Sequence, residues 1–173
     1  MLLNKRIVIY GASGFLGKFV VQKLAKLGAR LEIYSRDLDR SLHLKPLGEP
    51  GQITLHKLNG FTPEALDQSM DGAFAIINLI GILAPKGKDT FTKCHELIPQ
   101  ALAEAATRQK VSHFIHISAL GADLKSQSAY GRSKAQGEVL IHKAYPRATI
   151  LRPSVLIGPG ELFLSRFAQM AQF

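Results

Sequence analysis

Cysteine occurs once, at Cys94. A lone thiol excludes an internal disulfide, so the fold must be held by packing, which suits a reducing compartment such as the cytoplasm or an equivalent matrix. Long hydrophobic runs are also missing. The longest apolar stretch, from Ala73 to Pro85 with Asn78 inside it, falls short of the about 20 residues that a membrane-crossing helix needs, and it reads as a buried strand. From Met1 the chain passes through Asn4, Lys5 and Arg6 straight into Ile7-Val8-Ile9-Tyr10. That leaves no room for a signal-peptide core and predicts a protein that is not exported. Acidic residues are few: 13 Asp and Glu stand against 22 Lys and Arg, a formal charge of +9 that favours anionic partners. The basic residues are scattered and never form a run of five, so nucleic acid is not an expected partner. Repeats and low-complexity tracts are lacking as well.

What is there is a globular mix, 46% hydrophobic and 20% charged over 173 residues, enough for one core and one domain spanning 1–173. Short aliphatic runs alternate with segments of helical period, the pattern of strand-helix-strand units around a parallel sheet. Six strands are expected: Arg6 to Tyr10, Arg30 to Ser35, Gln52 to Leu58, Ala73 to Leu79, Ser112 to Ser118 and Ala148 to Leu151. Phe15 to Leu27 forms an amphipathic helix with Phe19, Val20, Leu24 and Leu27 on its apolar side, stopped by Gly28. Phe91 to Arg108 is a second helix that Pro99 should kink or divide, and Tyr130 to Lys143 a third. Asp37 to Gly51, with two prolines and two glycines, reads as a loop over the surface. The fold class is α/β: a doubly wound parallel sheet of the Rossmann type, helices on both faces.

Directly after the first strand stands Gly11-Ala12-Ser13-Gly14-Phe15-Leu16-Gly17. Gly11 permits the tight turn, Gly14 lets backbone approach a pyrophosphate, and Gly17 lets the helix pack closely on the strand. The amides of Ser13, Phe15 and Leu16 lie at the helix start, where free N–H groups and the helix dipole favour an anion. The second strand ends Ile33-Tyr34-Ser35-Arg36. A site for NAD(H) usually places an acid there for the ribose 2′-hydroxyl, whereas an arginine accommodates a 2′-phosphate. Arg36 therefore favours NADP(H) over NAD(H), with Asp37 immediately after it keeping NAD(H) in view.

Tyr130-Gly131-Arg132-Ser133-Lys134 opens a helix. Residues four apart share a face about 5 to 6 Å apart, so the Lys134 ammonium can favour the ionised Tyr130 phenol and enable proton transfer to a carbonyl or hydroxyl. Ser118, at the end of the fifth strand, can bond the same oxygen. His113 and His116, three apart in a strand, face opposite sides of the sheet. Cys94 and His95 diverge around a helix, so a buried cysteine is expected there rather than a nucleophile, and no metal site is expected.

Together these residues resemble the short-chain dehydrogenase/reductase superfamily, on its extended or atypical side, over nearly the whole chain. The resemblance implies that Gly11, Gly14 and Gly17 bind the pyrophosphate, that Ser118, Tyr130 and Lys134 carry the proton chemistry, and that Lys134 also holds the nicotinamide ribose. It implies that Pro153, in Leu151-Arg152-Pro153-Ser154-Val155-Leu156-Ile157-Gly158-Pro159-Gly160, lies in the stretch whose backbone meets the nicotinamide amide. Asn59 stands where the family often has an aspartate near the adenine.

More narrowly, GASGFLGKFVVQKL, INLIG with Gly81, FIHISALGA, YxxxKAxGE and LFLSRFAQM are similar to the family of NADPH-binding accessory subunits of respiratory complex I and their bacterial relatives. In that family, the resemblance implies, the nucleotide is mainly structural. Its members continue well past Phe173, so the expectation is a chain truncated at the C-terminal substrate lobe. Leu162, Phe163, Phe167, Met170 and Phe173 would then form an apolar terminal helix that favours association, such as a homo-oligomer.

Two functions follow from this. One is a nucleotide-binding accessory or assembly factor, peripheral at an inner membrane and docked on a respiratory complex through its basic surface. The other is an NADP-dependent reductase, epimerase or dehydratase of a small molecule.

Overall fold

The computed structural model describes residues 2–160. The expected terminal helix therefore lies outside the described residues. Six parallel strands form one sheet in the order β3-β2-β1-β4-β5-β6, with β1 Arg6–Tyr10, β2 Arg30–Ser35, β3 Ile53–Lys57, β4 Ala75–Asn78, β5 His113–Ile117 and β6 Thr149–Leu151. The central strands read as continuous apolar runs because both faces are covered: Ile7, Val8, Ile9 and Tyr10 are all buried, as are Ala75, Ile76 and Ile77. All six expected strands are present, β1 and β2 with the expected bounds and the other four trimmed by one or two residues at an end.

Helix α1, Phe15–Lys26, and a run of 3₁₀ turns, Asp39–Leu47, cover one face of β1, β2 and β3. The stripe that α1 buries is Gly17, Val21 and Ala25; Val20 and Leu24 pack beside it, and Leu27 is exposed rather than on the apolar side. Small residues win the centre because they let the helix axis come close to the sheet. At the helix end Gly28 takes φ +81, its N–H bonding to Ala25 and the next amide to Leu24, so the predicted stop is a left-handed glycine cap. The expected surface loop after β2 is an ordered 3₁₀ run instead, anchored by the buried Ser41 and Leu44. Leu44 seats in the core against α1's side of the sheet, which prolines and glycines in the sequence obscured.

Helices α2 Pro63–Met70, α3 Ile98–Arg108 and α4 Ala129–Ala144 cover the other face. Sequence reading passed over α2, although Thr62 caps it by accepting the Ala65 amide and Pro63 occupies the first turn. The helix expected from Phe91 to Arg108 is divided as foreseen, in an unexpected form. Thr92–Leu97 is a wider π-helical segment that passes into α3 at Ile98, with Pro99 in α3's first turn. Against this segment α4 approaches so closely that a Cβ on Gly137 would lie 1.9 Å from the carbonyl oxygen of His95.

Candidate functional site: a crevice along the carboxyl edge of the sheet

Every parallel strand points its carboxyl end to the same edge, and the chain reverses its direction of growth between β1 and β4. That is the switch point at which open α/β sheets bind ligands. Strand by strand along this edge come Asn59 after β3, Arg36 after β2, the Gly11–Gly17 turn after β1, Gly81 after β4, Ser118 after β5 and Pro153 after β6. At about 4.8 Å per strand, the stretch from β3 to β5 measures about 19 Å, the reach of an extended ligand rather than a compact one.

The glycine turn fits a diphosphate. Gly11 has φ +80, and a Cβ there would strike the Ile80 amide nitrogen at 2.7 Å. A Cβ on Gly17 would lie 2.0 Å from the Ala12 carbonyl oxygen. These two glycines are required by the fold itself. Gly14 differs: its φ of −81 suits any residue, and its Cβ would meet only the Gly11 oxygen, at 3.7 Å. The first turn of α1 carries neither a side-chain cap nor an acidic residue. The cradle is kept bare where an anion would meet the helix amides.

Further along, a cleft of about 700 Å³ is lined by Phe15, Gly81, Ser118, Tyr130, Lys134 and Pro153 together with Ile82, Leu83, Leu120, Val155 and Leu156. Six of the sequence-predicted residues thus meet in one cavity. Arg36 and Asn59 stand outside it, both exposed. Asn78 fixes one wall: its Oδ1 accepts the Ile80 amide at 3.0 Å, which turns its Nδ2 toward His116 Nδ1, also at 3.0 Å. His116 Nε2 is then left as a buried N–H without a partner among the described residues. His113 faces the opposite side, exposed and edge-on to Phe74, as the strand period requires.

Ser118 and Lys134 each have a polar partner within the protein. Lys134 is buried and donates to the Ile117 carbonyl at 2.7 Å. Burial lowers its amine to about 8, against the opposing pull of Glu138. Burial pushes the Tyr130 phenol up. Ser118 donates its hydroxyl proton to Glu138 Oε1, a carboxylate that Arg152 grips with Nε at 2.9 Å and Nη2 at 2.5 Å.

Sequence reasoning missed Glu138, Arg152 and the part played by His95. The His95 ring lies edge-on to Tyr130, with centroids 5.4 Å apart, and stacks on Phe91. Its Nε2 accepts the Ile82 amide at 3.1 Å, so the proton sits on Nδ1 and is donated to Ser133 Oγ at 2.9 Å. Ser133 in turn donates to the Tyr130 carbonyl at 2.9 Å. One imidazole therefore ties the 79–83 wall to the helix that bears Tyr130 and Lys134. Desolvation holds it neutral, at about 4. No local spacing signals this, because the contact needs the π-helical segment to meet α4 at Gly137.

The sequence pattern of the NAD dependent epimerase/dehydratase family matches residues 7–172, and the chain belongs to that family. Its cofactor class is accordingly a nicotinamide dinucleotide. Among curated proteins, the chain is 35% identical over 166 residues to the mouse "NADH dehydrogenase [ubiquinone] 1 alpha subcomplex subunit 9, mitochondrial", covering 95% of this chain and 44% of that one. It is 34% identical over 155 residues to a "Ceramide reductase" of Caulobacter vibrioides, covering 90% and 47%. The chain thus spans less than half the length of these relatives. Among solved structures, UDP-glucuronic acid 4-epimerase from Bacillus cereus in complex with NAD superposes with a TM-score of 0.75 at 22% identity, over 96% of this chain and 64% of that one, a likeness of fold. No helix among the described residues is long and apolar enough to cross a membrane.

Proposed function

We propose that this chain is a domain that binds NADP(H) in preference to NAD(H), in a protein whose bound nucleotide is chiefly structural, akin to the complex I subunits it resembles. The observation that supports this reading is Gly14: the N-cap of α1, a position whose backbone any residue could take, held by a glycine with no side-chain cap on the helix amides. The helix-start amides of Phe15 and Leu16 would hold the diphosphate, Lys134 the nicotinamide ribose, the backbone near Pro153 the carboxamide, and Arg36 a 2′-phosphate. Its net charge of +9 supports docking on an anionic surface beside a respiratory complex.

A second reading, reduction of a small carbonyl compound, is favoured by one feature: Ser118, Tyr130 and Lys134 line the same cleft. A bound nicotinamide supplies the hydride in such chemistry. The structural role is preferred because Ser118 gives its one hydrogen to Glu138 and because complex I subunits are among the relatives the chain matches. Calorimetric titration with NADPH and NADH tests the binding reading, which expects both to bind and NADPH more tightly. A search for carbonyl-dependent NADPH oxidation separates the two roles. Oxidation abolished by Tyr130→Phe with cofactor affinity retained would replace the structural reading with the enzymatic one.

A further inference from the structure

Arg36 does not stand free at the end of β2. Its guanidinium meets the Asp89 carboxylate at two points, Nη1 to Oδ1 and Nη2 to Oδ2, both at 2.9 Å. Asp89 is itself well placed. Its N–H and C=O pair with Lys86 at 3.1 and 3.0 Å across a tight turn in which Gly87 takes φ +57. Lys93, one helical turn on, brings its ammonium to 3.6 Å from the same carboxylate. The Arg36 hydrogen bond draws the Asp89 carboxyl below the usual carboxylate range.

Topology gives this ion pair its meaning. In the sheet β1 lies between β2 and β4. Arg36 follows β2 and Asp89 sits in the segment that follows β4, so the pair joins the two segments flanking the glycine turn. It is a clasp over the adenosine side of the crevice. The carboxylate fills the end-on edge of the guanidinium, Nη1 and Nη2, and neutralises its charge, so a phosphate approaching the remaining Nε edge meets a repelling neighbour.

We propose that Asp89 sets the choice between the two dinucleotides by competing with the 2′-phosphate for Arg36. A 2′-phosphate brings more charge than the carboxylate and displaces it; the released carboxylate retains Lys93 as a partner. A ribose carrying only a 2′-hydroxyl has no charge with which to open the clasp. Preference for NADP(H) is therefore present but reduced by the competition. This inference rests on the dinucleotide reading above and names a residue that governs its specificity.

The size of the effect follows from the nature of the pair. An exposed ion pair with good two-point geometry shifts an equilibrium by about three- to fivefold. The test is calorimetric titration of NADPH and NADH into the intact chain, Asp89→Asn, Arg36→Ala and the double variant. Asparagine at 89 keeps both backbone bonds to Lys86, so the turn is retained. We expect Asp89→Asn to tighten NADPH by about three- to fivefold while NADH changes by less than about 1.5-fold. In the Arg36→Ala background the same substitution should leave NADPH affinity unaltered. Equal tightening of both nucleotides, tightening that survives loss of Arg36, or no change at all would overturn the proposal. Failure of the unaltered chain to take up either nucleotide would instead overturn the dinucleotide reading, and the clasp with it.

Discussion

Gly14→Ala separates the fold's need for glycine from the ligand's. The backbone at Gly14 has φ −81 and ψ 175, a conformation open to alanine, and the added carbon would touch nothing nearer than the Gly11 oxygen at 3.7 Å. Two small effects on stability oppose each other. Alanine narrows the unfolded ensemble, worth about 0.4–1 kcal/mol, and it is a poorer helix N-cap than glycine by a comparable amount. The melting temperature should move by no more than about 2 °C. Binding should fare very differently. If a diphosphate sits against the amides of Phe15 and Leu16 as proposed, a methyl group on the N-cap residue beside them would crowd it and weaken both bonds. Hydrogen bonds to a charged group contribute about 1.5–3 kcal/mol each, so losing two weakens NADPH by about 10² to 10⁴ in Kd. Calorimetric titration and a thermal melt on the same preparation read both quantities. A variant that melts like the wild type and still binds NADPH with unchanged affinity would refute the cradle, whatever else the protein does.

Two further outcomes follow from the packing and the buried histidines. Gly137→Ala forces a carbon to within 1.9 Å of the His95 carbonyl, whereas Gly121 has open space around its Cβ direction; the first substitution should cost about 3 kcal/mol or more in urea unfolding and the second almost nothing. His95 and His116 are held neutral by burial, at about 4 and about 3, against about 6.5 when unfolded. The unfolded chain therefore binds more protons below pH 6.5, so stability present above that pH is lost as pH falls toward 4, by on the order of a few kcal/mol. A urea midpoint that stays flat between pH 6.5 and 5, above the range where carboxylates titrate, would contradict this.

The sheet was legible because its strands carry their own signal. Ile7-Val8-Ile9 and Ala75-Ile76-Ile77 are apolar on both faces, the pattern of a parallel strand covered on both sides. The glycine turn was legible because three positions each had a separate steric reason, two of which the close approaches at Gly11 and Gly17 now account for. Helix α2 was missed although Thr62 and Pro63 mark its start, since eight residues are too few for periodicity to stand out. The polar partners were out of reach for a different reason. Asp89 lies 53 positions from Arg36, and His95 lies 38 from Ser133. Such pairs exist only after the sheet has been ordered 3-2-1-4-5-6, and nothing local encodes them.

These distant partners decide what the cleft can do with a proton. A serine hydroxyl has one hydrogen, and Ser118 gives it to Glu138, whose two oxygens are held by Arg152. Toward the cleft Ser118 can therefore only accept. Tyr130, its phenol raised by burial, keeps its hydrogen at neutral pH and has it to donate. Lys134 spends one N–H on Ile117 and has two left to offer. A carbonyl oxygen entering this space would find donors in Tyr130 and Lys134 and none in Ser118, while an alcohol could reach Ser118 with its own hydrogen. The inventory is that of an acid and not of a base. If chemistry is recovered from this cleft, it should run as reduction, with Tyr130 supplying the proton, because removing a proton from an alcohol would require a phenolate that the surroundings disfavour.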